Sequence, residues 1–232
     1  MFPTSRFVGP LGWAHLLLFG IALPALVVRN ARQMAGRKLA LPERLAHFQA
    51  TCFTSSVFLA WSLLVARVQY LFLFSRHVPE PERGLVAGAL MYAAAVLFMR
   101  PRWRRAVLRR ARVVHLFMPA NATERAWWLA VSLLAGVGEE ITWRGVQTAL
   151  LVPVTGSYWA AAALSAASFG IAHATQGWRS AVGIVVFGLA FQGIVAASGS
   201  LFIAMAVHVA YDVTAGLAYG KLGRELGYVP DP

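Results

Sequence analysis

Residues 126–154 read AWWLAVSLLAGVGEEITWRGVQTALLVPV. As one helix this stretch of 29 residues would run roughly 43 Å, at about 1.5 Å per residue. A bilayer's hydrocarbon core is only about 30 Å thick. The segment is therefore long enough to cross a membrane, and must tilt, bend or protrude to do so. Its apolar flanks enclose the ionisable residues Glu139, Glu140 and Arg144.

The rest of the chain repeats the apolar pattern. Hydrophobic residues make up 59% of the 232 positions and charged residues 13%, which leaves too little polar surface for a soluble domain. Long apolar runs mark spanning helices, which satisfy their backbone hydrogen bonds internally where water is absent. Strand alternation is weak, which argues against a β-barrel. The expected fold is all-α: a polytopic transmembrane helix bundle of about seven spans. These are about Leu11–Val28, Thr51–Phe74, Gly84–Met99, Ala126–Val154, Tyr158–Ala174, Ala181–Ala197 and Leu201–Tyr219. The first is read as a retained helix and not a signal peptide, because no clear small-residue cleavage site follows it. The division expected is 1–125 for N-terminal spans with basic loops, 126–220 for the core that carries the chemistry, and 221–232 for a short tail.

The formal net charge of +12 raises a nucleic-acid reading, which the charge distribution opposes. Arg29, Arg32, Arg37, Lys38 and Arg44 fall in the first gap between spans. Eight arginines lie between Arg100 and Arg125, and Arg179, Lys221 and Arg224 follow in later gaps on the same side. The opposite side holds only Arg6, Arg76 and Arg83. This asymmetry predicts an external N-terminus and a cytoplasmic C-terminus, with the lipid bilayer and not nucleic acid as the partner. Two readings fit residues 100–115: a basic helix on the inner leaflet, with Trp103, Val107, Val114 and Leu116 against lipid, or a solvated loop that only sets topology. The single Cys52 excludes an internal disulfide.

The last four spans hold Glu139, Glu140, Arg144, His173, His208 and Asp212. Each charge costs at least a few kcal/mol in a bilayer interior, so mutual pairing around a polar cavity is the expected arrangement. The spacing permits it: Glu140 and Arg144, Phe169 and His173, and His208 and Asp212 are each i,i+4 pairs on a helix. Glu139 is rotated about 100° from Glu140, so one carboxylate can hold Arg144 while the other faces elsewhere. A carboxylate and an imidazole that converge on one water make a general base. His15, His47, His77 and His115 are read as packing or interfacial residues. The alanines and glycines of the last spans, among them Gly170, Gly183, Gly188, Gly193, Gly216 and Gly220, are read as sites of close helix approach.

These motifs resemble a known family. Gly138-Glu139-Glu140-Ile141-Thr142-Trp143-Arg144 is similar to the E-E-x-x-x-R motif of the CPBP intramembrane proteases, which include CAAX prenyl endopeptidases and bacteriocin-processing enzymes. Phe169-Gly170-Ile171-Ala172-His173 resembles their F-x-x-x-H motif. His208-Val209-Ala210-Tyr211-Asp212 resembles H-x-x-x-N or H-x-x-x-D. The resemblance covers about Ala126–Tyr219 and implies an intramembrane endopeptidase acting on a membrane-anchored protein or peptide. By that analogy Glu139 and His173 activate the water, and Arg144 holds Glu140. His208 and Asp212 stabilise the oxyanion, with Asp212 fixing the tautomer of His208. The prenyl-processing branch has Asn where this chain has Asp212, which counts against a prenylated substrate.

No cofactor is favoured. Zinc on Glu139, His173 and His208 is the alternative to a metal-free glutamate mechanism. A non-catalytic immunity or scaffold protein of the same fold and a proton-coupled transporter are the competing functions. The arginine- and alanine-rich composition points to a bacterial inner membrane.

Overall fold

A computed structural model describes residues 7–35, 41–74 and 78–228. Arg6, Arg37, Lys38, Arg76 and His77 lie outside the described residues. The described residues form eight helices and no strand. These are α1 (Pro10–Met34), α2 (Arg44–Val68), α3 (Pro81–Leu108), the short α4 (Arg112–Phe117), the long α5 (122–155), α6 (Tyr158–Ile171), α7 (Trp178–Ser198) and α8 (Leu201–Glu225). Each of the seven expected spans contains a helix, the second ending at Val68, six residues short of Phe74. Five of them (α1, α2, α3, α7 and α8) are long and apolar enough to cross a membrane.

Polarity is distributed as a bilayer requires. Apolar residues such as Phe53, Leu64, Leu90, Leu97 and Val186 cover the outside of the bundle, whereas Ser62, Glu140, Thr142, Ser165, Gln192 and Ser198 are fully buried. In α3, only 17% of its apolar 18-residue window is buried. Water would not tolerate so much exposed apolar surface on a monomer. In lipid the polar groups are driven inward instead, and the chain is an integral membrane protein.

Loop contacts sort the helix ends into two groups. At one end, His115 Nε2 donates to the Pro42 carbonyl at 3.0 Å. Beside it Arg44 makes a two-pronged ion pair with Glu124, at 3.1 and 3.2 Å. At the other end, the amide of Gly9 donates to Gln69 Oε1 at 3.1 Å, and Glu80 N–H donates to the Ser198 carbonyl at 3.2 Å. The segment around Arg44 and the arginine-bearing stretch 109–121 therefore share one end. Two Gly-Ser pairs turn the chain at the other. Gly156 and Gly199 end α5 and α7 in the left-handed region, at φ of 68° and 67°. Ser157 and Ser200 then cap α6 and α8 through their side-chain oxygens.

Several expectations are corrected. Trp103, Val107 and Val114 are buried against Met118, Ala215 and Tyr219 of the protein itself, and so do not face lipid. Residues 100–108 continue α3 through Pro101 instead of lying on the leaflet. The last helix runs to Glu225, six residues past Tyr219. Gly183 and Gly193 would meet nothing within 4 Å if given a Cβ, so they are not packing contacts. Gly170 and Gly216 are: a Cβ there would run into Val185 and the Trp128 indole respectively.

Candidate active site

The centre of α5 is not α-helical. Glu140–Gln147 forms a π-helix, with all eight residues buried. Its wider turns shift the backbone carbonyls, and local hydroxyls satisfy them. Thr142 Oγ1 donates to the Gly138 carbonyl at 2.7 Å. The Trp143 carbonyl accepts from Thr148 Oγ1 at 2.8 Å and from Ser165 Oγ at 2.7 Å. Gln192 Nε2 donates to Thr148 Oγ1 at 2.6 Å, and Gln147 Nε2 to Ser168 Oγ at 2.7 Å. A second π segment, Leu18–Ala22 in α1, lies just before Pro24. Proline cannot donate to the carbonyl four residues back, and a widened turn absorbs that loss.

All six ionisable residues singled out from the sequence converge. Arg144 Nη1 lies 3.4 Å from Glu140 Oε1, and both side chains are sealed, at 1% and 0% exposure. The guanidinium carbon sits 4.2 Å from the centre of the Phe169 ring and 5.3 Å from that of Phe191, a cation–π arrangement. Glu140 Oε1 also accepts from His208 Nδ1 at 2.8 Å. Glu139 bridges the two histidines, with His208 Nε2 at 3.8 Å and His173 Nε2 at 4.0 Å. Asp212 Oδ2 is 3.7 Å from His208 Nε2.

Two features of this geometry differ from expectation. His173 is not inside a span: α6 ends at Ile171, and His173 precedes a single turn of 3₁₀ helix, Ala174–Gln176. Its ring is still tied to α6, because Nδ1 donates to the Phe169 carbonyl at 2.8 Å. A carbonyl can only accept, so Nδ1 carries a proton, and Nε2 is the ring nitrogen that faces Glu139. The ring of His208 is held through Nδ1 by Glu140, its partner at hydrogen-bond distance, whereas Asp212 lies 3.7 Å from Nε2.

Close helix approach makes this convergence possible. A Cβ on Gly136 would lie 2.6 Å from Val209 Cγ2 and 2.9 Å from the Val209 amide nitrogen. Only glycine there lets α8 come near enough for His208 to reach both glutamates. Trp128 Nε1 donates to the Asp212 carbonyl at 3.1 Å and pins α8 to α5 on the other side of the site.

Glu139 and His173 each retain 22% side-chain exposure. They line a cleft of about 320 Å³ between α2, α5 and the end of α6. The supporting hydroxyls and amides Thr142, Gln147, Thr148, Ser165 and Gln192 escaped the sequence reading. Their signal is the presence of polar side chains inside otherwise apolar spans.

Glu139, His173 and His208 have the donor chemistry zinc prefers. Donors that share a tetrahedral zinc at about 2.0–2.2 Å lie roughly 3.3–3.5 Å apart, closer than the 3.8 and 4.0 Å found here. Among the described residues no group of three or more His, Cys, Asp or Glu side chains is placed to hold a metal ion. As placed, the three side chains stand somewhat wider apart than a shared zinc would hold them.

Fold and site together define a polytopic helical membrane protein with an ionisable cluster buried at its centre. Residues 121–214 match the family model of the Type II CAAX prenyl endopeptidase Rce1-like proteins, a match consistent with an intramembrane protease of the CPBP kind. The match begins at Asn121, the residue that caps α5, and takes in all six clustered residues. It supports an intramembrane endopeptidase in general terms. No curated protein and no solved structure matches the chain.

Proposed function

We propose that the protein hydrolyses a peptide bond of a membrane-anchored protein or peptide, using a water activated by Glu139 and His173 without a metal. One observation carries the reading. Within a single polar cluster, Glu140 and Arg144 are sealed from solvent, while Glu139 and His173 stay open to a cleft. A scaffold or immunity protein needs the sealed pair but has no use for the open one.

In the reaction, a water lies between Glu139 Oε1 and His173 Nε2. With those atoms 4.0 Å apart, a water about 2.8 Å from both subtends an angle of roughly 90°. It can donate one hydrogen to each and keep a lone pair for the carbonyl carbon. Attack forms the C–O bond as a proton passes to Glu139. His208, held through Nδ1 by Glu140, donates from Nε2 as the imidazolium to the oxyanion. Collapse breaks the C–N bond, and Glu139 returns its proton to the leaving amine. Asp212 completes the carboxylate surroundings of His208. Arg144 does not touch the reacting atoms; it holds Glu140.

The membrane is a bacterial inner membrane, and the arginine-rich end of the bundle faces the cytoplasm. In a Cys52→Ala background, Val78→Cys and Lys221→Cys are expected to react with an impermeant thiol reagent from opposite sides, Lys221→Cys only after the membrane is opened. Labelling of both from the same side overturns this orientation. The activity itself is tested by comparing membrane proteomes of cells carrying wild-type or Glu139→Ala protein. A membrane-anchored precursor should accumulate in the variant, and identical proteomes would contradict the proposal.

A further inference from the structure

Helix α2 takes no part in the chemistry above, yet one of its faces looks onto it. Ala50, Thr51, Thr54, Ser55 and Phe58 line the cleft in front of Glu139 and His173. Their spacing places them on one side of the helix, while Phe53 and Val57 point outward and are 72% and 48% exposed. Thr51 Oγ1 donates to the His47 carbonyl and Thr54 Oγ1 to the Ala50 carbonyl, both at 2.9 Å. With these hydrogens committed to the helix, the two hydroxyls have only lone pairs left for the cleft. They can accept hydrogen bonds and cannot donate them.

This wall is fixed relative to the catalytic groups. A Cβ on Gly138, the residue before Glu139, would sit 3.4 Å from the Ser55 carbonyl oxygen, so α2 and α5 cross almost backbone to backbone at that point. The buried Arg44–Glu124 pair ties the same two helices together at the arginine-rich end. At about 320 Å³, the cleft is at the small end of ligand pockets, which span about 300–1,000 Å³. A cleft of that size suits an extended segment, whose amides need acceptors, better than a helix about 10–12 Å across with its side chains.

We propose that the Thr51–Thr54–Ser55 face of α2 is the specificity wall of the enzyme. Its hydroxyl oxygens accept from N–H groups of an extended substrate segment, and its small side chains set the largest residue that can stand beside the scissile bond. This assignment rests on the endopeptidase reading. It gives the N-terminal spans a part in substrate selection.

The test uses purified full-length protein and a mixture of acylated synthetic peptides randomised around their centre, with products read by mass spectrometry. In Thr54→Trp and Ser55→Trp, kcat/KM for peptides with Phe or Leu beside the cut is expected to fall about tenfold or more, while Gly and Ala peptides are spared. Thr54→Val keeps the shape and loses the acceptor, so it should raise KM without moving the size preference. An unchanged product spectrum in the Trp variants, or an equal loss for every peptide, overturns the assignment. Thiol reactivity supplies a readout that needs no substrate. In a Cys52→Ala background, Ser55→Cys should react with a water-soluble reagent about tenfold faster than Val57→Cys, and equal rates overturn the wall. Normal cleavage by Glu139→Gln, or no cleavage of any peptide by the wild type, would instead count against the endopeptidase reading, leaving the thiol rates to judge the wall.

Discussion

Replacing Glu139 by Gln is expected to cut the cleavage rate by about 10²–10⁴-fold, the usual contribution of a general base, and to leave the fold intact. Gln is nearly isosteric with Glu. The Glu139 contacts to His173 and His208 lie at 4.0 and 3.8 Å, too long for hydrogen bonds, so little packing or bonding is lost with the charge. What disappears is a group able to take a proton from water and return it to the leaving amine. Turnover of a membrane-anchored peptide, with circular dichroism and a thermal melt as controls, measures both halves of the expectation. A Gln variant with wild-type turnover would end the assignment. Glu140→Gln is expected to be milder for the chemistry, because that carboxylate is sealed away from the cleft and engaged with Arg144 and His208. A strong chelator separates the two nucleophile-generating mechanisms: it should leave the rate unchanged if Glu139 and His173 act alone. If chelation removes activity and zinc restores it, the nucleophile is generated by metal, and the metal-free mechanism fails while the protease reading stands.

The helices were legible because apolar runs of spanning length have few other uses, and because the cost of an intramembrane charge makes every Glu, Arg, His and Asp in such a run conspicuous. The pairing of Glu140 with Arg144 followed from i,i+4 spacing, which tolerates the change from α to π geometry. Helix type itself was not legible. The π turn depends on Thr148 and Ser165 reaching the Trp143 carbonyl, and Ser165 comes from a different helix. The partner of His208 Nδ1 was missed for the same reason. The neighbour four residues on, Asp212, is visible in sequence, whereas Glu140 is 68 residues away and meets it only because Gly136 admits α8. His173 was placed inside a span because Ala172 and Ala174 carry the apolar character onward, although the helix stops at Ile171. The α2 face went unnoticed because Thr51, Thr54 and Ser55 are ordinary helix residues until Glu139 is placed opposite them.

Arg144→Ala is expected to destabilise the protein by about 3–5 kcal/mol, the usual cost of removing one partner from a buried ion pair. The cost comes from what stays behind. Glu140 is fully buried, and Oε2 of its carboxylate has no hydrogen-bond partner among the described residues. Without the guanidinium, its charge is balanced only through His208. The cavity left between Phe169 and Phe191 adds a packing loss. Arg144→Lys should fall in between: it keeps a positive charge near Glu140 but loses the flat cation over the Phe169 ring. Adding Glu140→Gln to Arg144→Ala should recover part of the stability, since a neutral amide no longer leaves a charge uncompensated and its oxygen can still accept from His208 Nδ1. Recovery should be incomplete, because the aromatic cage stays empty. Thermal melts of the purified protein in detergent, with wild type, both single variants and the double variant side by side, give the coupling between the two positions. An Arg144→Ala protein that melts with the wild type would show that Glu140 is not held as a buried carboxylate by this arginine. The separation of a sealed structural pair from an open catalytic pair would then fail with it.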